Sequence, residues 1–484
     1  MKRIHVINQK HVSARSIVAA GTGLFVLSLM GCADGLDRGM LEGDAPQAAR
    51  MPDSSPPLAQ DESRNLYIPP QDQLVRTLRV SAVYNDTHVQ IRYEFPTEEP
   101  SWYHDYFIYE GGEWVRYGSG PVGPQEHGLY EDRISVAIDA GNIEGYETYG
   151  GFLISHPGIR SRTDEIGRDE VVGHPHLGDR LGETDVRKFL AGSRYDTSDE
   201  NIWRRVRTEE ELNRLREEGR FLDTWQWRAH RSNPHGYADN GYVLDYRFSA
   251  EGRGMYTTNW VDEHERPRWM FDPEKVGFSA LEKERLLARD YGQDDIYYLK
   301  DDFAVPLDPD HDWQEGDVIP RRILREPTGS RGSLRADGRW KDGAWRVAVT
   351  RSLESPNPLD SHEIKPGEVY NVQFAVHTGQ MGARWHYVSM PLVLGFDSGG
   401  DGVHVEAVRS EEGDLRDENA PWHEVPLFYP GQATAREIRE NSQLNRAVHA
   451  AARAPFDEVR IRTLANQLVQ HEKITIMAPP ARRR

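Results

Sequence analysis

The sequence predicts a mainly β protein: an antiparallel β-sandwich with long loop insertions and a C-terminal helical tail. Three observations carry that prediction. Apolar and polar residues alternate with period two in several short runs, the signature of half-buried strands. Asn-Asp and Asp-Gly turn signals separate neighbouring runs. Ala/Arg/Glu/Leu-rich helical texture gathers near the C-terminus.

Taken in order, the chain begins with a basic, polar stretch bearing Lys2, Arg3, Lys10 and Arg15. An apolar run over 17–31 follows and ends on Cys32. This is the layout of a secretory signal, and the run is short for a membrane span of about 20 residues. Leu29-Met30-Gly31-Cys32 resembles a bacterial lipobox, in which the cysteine is lipidated and becomes the new N-terminus. Ala33, rather than Asp, stands in the sorting position. The expectation is a signal peptide over 1–31 and a lipid-anchored protein of the bacterial cell envelope, on the periplasmic side or at the outer membrane. Residues 32–66, with Pro46, Pro52, Pro56 and Pro57, read as a flexible tether.

The domain expected over 67–432 opens with β-rich 75–84, a turn at Asn85-Asp86 and alternating Val89–Phe95. Further strands are expected at 133–138, 242–248, 344–353, 369–377 and 384–396. Residues 208–218 read as a helix, with Thr208 and Glu211 in capping-box spacing and Gly219 as the stop. A second helix is expected at 278–290, and the tail over 433–484 as helices broken near Pro455. Segments 156–200 and 254–335 read as long loops on the β scaffold.

Composition excludes several functions. The chain has 484 residues, a formal net charge of −19 and one cysteine. Such acidity repels a phosphate backbone, so no nucleic-acid partner is expected. One cysteine excludes a disulfide framework, a Cys-rich zinc site, an iron–sulfur cluster and thioether-linked haem. No phosphate loop, nucleophile elbow or His-Glu-x-x-His motif occurs. Asp308, Asp310 and Asp312 match the first ligands of a calcium loop, but Trp313 and Ile319 stand where that loop needs Gly and Glu. What they leave is an irregular calcium site. His174-Pro175-His176 reads as loop, and Asp105, Glu131 and Asp139 as solvated carboxylates.

The informative segments are aromatic. In Asp223–Arg231 a strand would put Trp225, Trp227 and Ala229 on one face and Gln226, Arg228 and His230 on the other. Trp340-Lys341-Asp342-Gly343-Ala344-Trp345 reads as a hairpin running on to Arg351-Ser352-Leu353. Later come Tyr370–His377 and Ala383-Arg384-Trp385-His386-Tyr387-Val388-Ser389-Met390. These segments, with Gly128–Arg133 and Leu427–Gln432, resemble the haem-binding subunit family of ethylbenzene and dimethyl-sulfide dehydrogenases over roughly residues 74–430.

The resemblance implies a β-sandwich that holds haem b non-covalently between two axial side chains and exchanges electrons with a partner oxidoreductase or cytochrome. It implies no bond-making catalytic residue. The family's late-strand lysine position matches His386, and imidazole is a good iron ligand. The methionine position falls near Leu222 or Asp223. His230 is the leading substitute, with Met255, His377 and Met390 as reserves. Trp225 and Trp227 become pocket candidates and Arg384 a propionate partner. The competing reading is a haem-free β-sandwich binding module for a carbohydrate or protein ligand, since fold does not decide function.

Overall fold

The computed structural model describes residues 68–118, 129–159, 166–196, 201–379, 386–400, 402–410, 415 and 419–477. Cys32, the expected tether and Arg384 lie outside the described residues. Strands β1 (Val75–Tyr84) and β2 (His88–Pro96) form the hairpin expected around Asn85-Asp86. β3 (Tyr106–Glu110) and β4 (Glu113–Tyr117) belong to a smaller sheet. β5 (Arg133–Asp139) runs into helix α1 (Tyr146–Ile154). Helix α2 (Glu209–Glu217) starts on the reciprocal Thr208–Glu211 capping box, which satisfies two otherwise orphaned backbone donors.

β6 (Leu222–Arg228), β7 (Asp239–Val243) and β8 (Arg247–Ser249) follow. The strand expected at 242–248 is instead the β7–β8 hairpin, which pairs Val243 with Arg247. β9 (Arg335–Lys341) and β10 (Ala344–Ser352) turn at Asp342-Gly343, both with positive φ (54° and 82°), as a two-residue primed turn requires. β11 is Val369–His377. The run expected over 384–396 divides into β12 (Tyr387–Ser389) and β13 (Leu392–Phe396), because Pro391 has no N–H for the ladder. β14 (Val405–Arg409) and β15 (His423–Phe428) complete the strands of the main sheet, while the segment 254–335, expected as a long loop, instead carries seven short strands from Tyr256–Thr258 to Arg322–Leu324. Only Lys283–Ala288 of the expected 278–290 helix is helical.

Thirteen strands make one sheet. β9, β10, β2 and β1 form one wing, and β11, β5, β6, β7 and β8 the other. Between the wings, β14 and β13 bridge one end while β15 and β12 bridge the other. Pairing is antiparallel except for β1–β14 and β13–β14. The wings fold face to face over a common apolar core. Trp227 of β6 meets Trp345 of β10 edge-on at 5.0 Å, and Tyr93 of β2 meets Phe374 of β11 at 5.9 Å. Helices α3 (Ala435–Glu440), α4 (Ser442–Ala452) and α5 (Glu458–Met477) extend the same core through Ile438, Val448, Leu464 and Leu468.

Candidate cofactor site

On β11, Tyr370, Val372, Phe374 and Val376 enter the core, so Gln373, Ala375 and His377 share the outer face. Register extends that face sideways. Gln373 lies beside Ala137 and Ala375 beside Ser135 on β5. Ala137 and Ser135 in turn lie beside Thr224 and Gln226 on β6. Most of these side chains are small, so the outer face is hollow here.

Helix α1 roofs one side of the hollow. It bends at Gly150 (φ 66°), where a Cβ would stand 2.5 Å from Gln373 Nε2. Glycine therefore permits the close approach. Phe152 N donates to Gln373 Oε1 (2.8 Å), and Gln373 Nε2 donates to the Ser389 carbonyl (2.7 Å). One amide thus ties the roof to the strand after His386. Ser389 Oγ accepts from Phe374 N (3.0 Å) and locks β12 against β11. This is a physical role for a serine three residues past the candidate ligand.

The resulting cleft opens to solvent on the outer face. Its floor includes Ser135, Ala137 and Ala375. Phe152, Leu222 and Val388 give it apolar walls, and His386 is in its lining. Lys188 and Arg247 also line it. His386 is 4% exposed and stacks on His377, with ring centroids 4.5 Å apart and planes 10° from parallel.

The other sequence candidates lie elsewhere. The chain leaves β6 at Arg228 and turns, so His230 enters a closed polar cluster instead of the cleft. There His230 Nδ1 bonds the Trp102 carbonyl (3.0 Å), and the backbone N–H groups of His230 and Arg231 donate to Glu131 Oε2. His104 lies beside them, with ring centroids 6.1 Å apart. Burial pushes the pKa of both imidazoles down, His104 well below its ordinary value. Trp225, Trp227 and Met390 pack in the main core, and Met255 in a small cluster with Tyr237 and Leu324. Leu222, at the family's methionine position, does line the cleft but offers no donor atom, while Asp223 pairs with buried Arg351 (3.1 Å).

The remaining polar candidates have structural employment. His176 Nε2 sits 2.6 Å from Asp245 Oδ2, and His174 Nδ1 accepts backbone N–H bonds from His176 and Leu177. Asp308, Asp310 and Asp312 are exposed, and Asp308 Oδ1 accepts from Asp310 N (2.9 Å). Among the described residues no group of three or more His, Cys, Asp or Glu side chains is arranged to hold a metal ion. The carboxylates of Asp105 and Glu131 are not solvated: each lies 3.9 Å from buried His104.

Fold and site together define a β-sandwich with a cleft on its outer face, lined by an imidazole and cationic side chains. The chain belongs to the ethylbenzene dehydrogenase family, whose model matches residues 47–389. That span contains every cleft residue named above. The chain is also 30% identical over 87 residues to cytochrome c-552 of Stutzerimonas stutzeri. The match covers 18% of this chain and 28% of that protein, so the chain spans under a third of that relative.

Proposed function

We propose that this protein is a lipid-anchored electron carrier of the cell envelope. It holds haem b non-covalently in the outer-face cleft and exchanges electrons with a partner oxidoreductase or cytochrome. One observation carries the reading: His386, just before β12, lines an outer-face cleft within the family-matched span.

The residues present fit the group. Ser135, Ala137 and Ala375 leave space against the sheet, and Phe152, Leu222 and Val388 offer apolar contact to a macrocycle. His386 supplies an imidazole nitrogen, a good iron ligand. Arg247 supplies a permanent cation for a propionate. Haem, when bound, carries one electron at a time. The chain's residues hold it, keep water off it and set its potential. One cysteine in the chain leaves no Cys-x-x-Cys-His run for thioether attachment, which favours a haem held non-covalently.

The test is spectroscopic. The full chain is produced in cells supplied with haem, purified and titrated with further haem. A Soret band with sharp reduced α and β bands is expected. His386→Ala is expected to raise the haem dissociation constant by at least roughly 10–100-fold, since loss of even an outer-shell partner weakens a metal site that much. A folded protein that stays colourless after titration overturns the proposal and favours the haem-free binding module.

A further inference from the structure

We infer that Trp345 is a one-electron oxidation site, with Asp132 as the base that takes its indole proton. The site needs no haem, so it stands or falls apart from the reading above. Trp345 Nε1 donates to Asp132 Oδ2 (2.8 Å), and both side chains are buried. Nothing compensates the acid. Its Oδ1 has no partner, and among the described residues no cation forms an ion pair with it. An asparagine would accept the same two N–H bonds without burying an unpaired charge, which costs stability. The retained acid therefore has a use beyond holding the fold, and proton transfer from the indole is the chemistry its geometry offers. The neighbouring tryptophans lack such a base. Trp102 Nε1 donates to the Tyr291 carbonyl and Trp227 Nε1 to Asn233 Oδ1 (2.9 Å each), neutral acceptors that take no proton.

Trp345 also stands in a file of touching rings. It meets Trp227 at 5.0 Å and Trp102 at 6.3 Å between ring centroids. Trp102 meets Tyr297 at 6.4 Å, and Tyr297 meets half-buried Tyr298 at 5.2 Å. At its other end Trp227 follows Gln226, which lines the outer-face cleft. Rings in contact let an electron vacancy move in short steps. The chemical partner is a strong one-electron oxidant, such as a peroxide-derived radical, arriving at an exposed ring edge. The oxidant gains one electron, and the vacancy settles on Trp345. Loss of an electron makes the indole N–H strongly acidic. The N–H bond breaks, an O–H bond forms at Asp132 Oδ2, and a neutral indolyl radical is left beside a neutral carboxylic acid. The pair starts with one negative charge and ends with none, which suits a low-dielectric interior. Burial holds the Asp132 pKa at about 7, with Glu131 raising it and Arg289 lowering it, so the base is charged in alkaline solution.

The experiment oxidises the full chain in alkaline solution with flash-generated tris(bipyridine)ruthenium(III). Transient absorption follows the radical, and freeze-trapped EPR with ring-deuterated tryptophan assigns it to indole or phenol. Wild type is expected to give a neutral tryptophan radical. Trp345→Phe is expected to lose it. Asp132→Asn keeps the hydrogen bond but cannot take the proton, and is expected to give a shorter-lived, still protonated radical cation. Asp132→Asn removes only a charge, so it carries the test even where Trp345→Phe fails to fold. A wild type that yields only tyrosine radicals or none, or an unchanged neutral tryptophan radical in Trp345→Phe, overturns the assignment to Trp345. A neutral radical of unchanged lifetime in Asp132→Asn overturns the role of Asp132.

Discussion

Burial decides the ionisation of Asp132. Its Oδ2 accepts from Ser101 N (2.9 Å) and Trp345 Nε1 (2.8 Å), while Oδ1 has no partner. Desolvation outweighs both donors and lifts the pKa from 3.8 to about 7. A raised carboxyl pKa means that the folded state keeps a proton which the unfolded state has lost. This contribution to stability is complete below the unfolded pKa and is lost as pH rises through the folded one. Asp132→Asn keeps an acceptor but cannot ionise. Relative to wild type the variant should gain stability as pH rises from about 4 through about 7, read as the difference in thermal midpoint. A difference that does not vary with pH would contradict this. The residue scale is also where the sequence is most uneven. His386 was singled out because its segment resembles the family's late strand, and it lines the cleft. His230 was placed wrongly by the same alternation, because its strand ends two residues earlier. Lys188 and Arg247 gave no signal, since a loop returning to a sheet face is a tertiary event.

At the scale of elements, the two wings of the sheet are held by a clamp between β6 and β9. Trp227 Nε1 and Gly338 N both donate to Asn233 Oδ1 (2.9 Å each), and Asn233 Nδ2 donates back to the Gly338 carbonyl (2.9 Å). The Trp227 ring lies flush on the glycine: a Cβ at position 338 would stand 2.3 Å from Cζ2. Trp227 is fully buried and has no room to retreat. Gly338→Ala should therefore destabilise the fold by about 1–3 kcal/mol, the usual penalty for forcing one extra carbon into a packed interface. It should appear as a lower denaturation midpoint at unchanged slope. Unchanged stability would mean that the wings are not in register here. The hairpins were readable in the sequence because turn chemistry and alternation are local, as Asp342-Gly343 shows. That β9 closes on β6 was not readable, because a glycine in a strand does not announce which aromatic ring it receives.

At the scale of the whole molecule, the net charge opposes the membrane attachment proposed for Cys32. The net charge of −19 repels an anionic bilayer surface. No helix among the described residues is long and apolar enough to cross a membrane. If Cys32 carries the lipid, that residue accounts for membrane attachment without help from the acidic domain. The consequence is sharper than simple loss of retention. Replacing Cys32 with serine should move the protein into the soluble fraction of the envelope. Release should be as complete at low salt as at high salt, because the remaining electrostatic force is repulsive and only weakens as salt rises. Retention that persists and is salt-labile would point to a basic patch binding the bilayer. Retention that persists regardless of salt would overturn lipidation at Cys32. Only the first pattern fits a domain tethered at arm's length from the membrane, its cleft open to a soluble or membrane-bound redox partner.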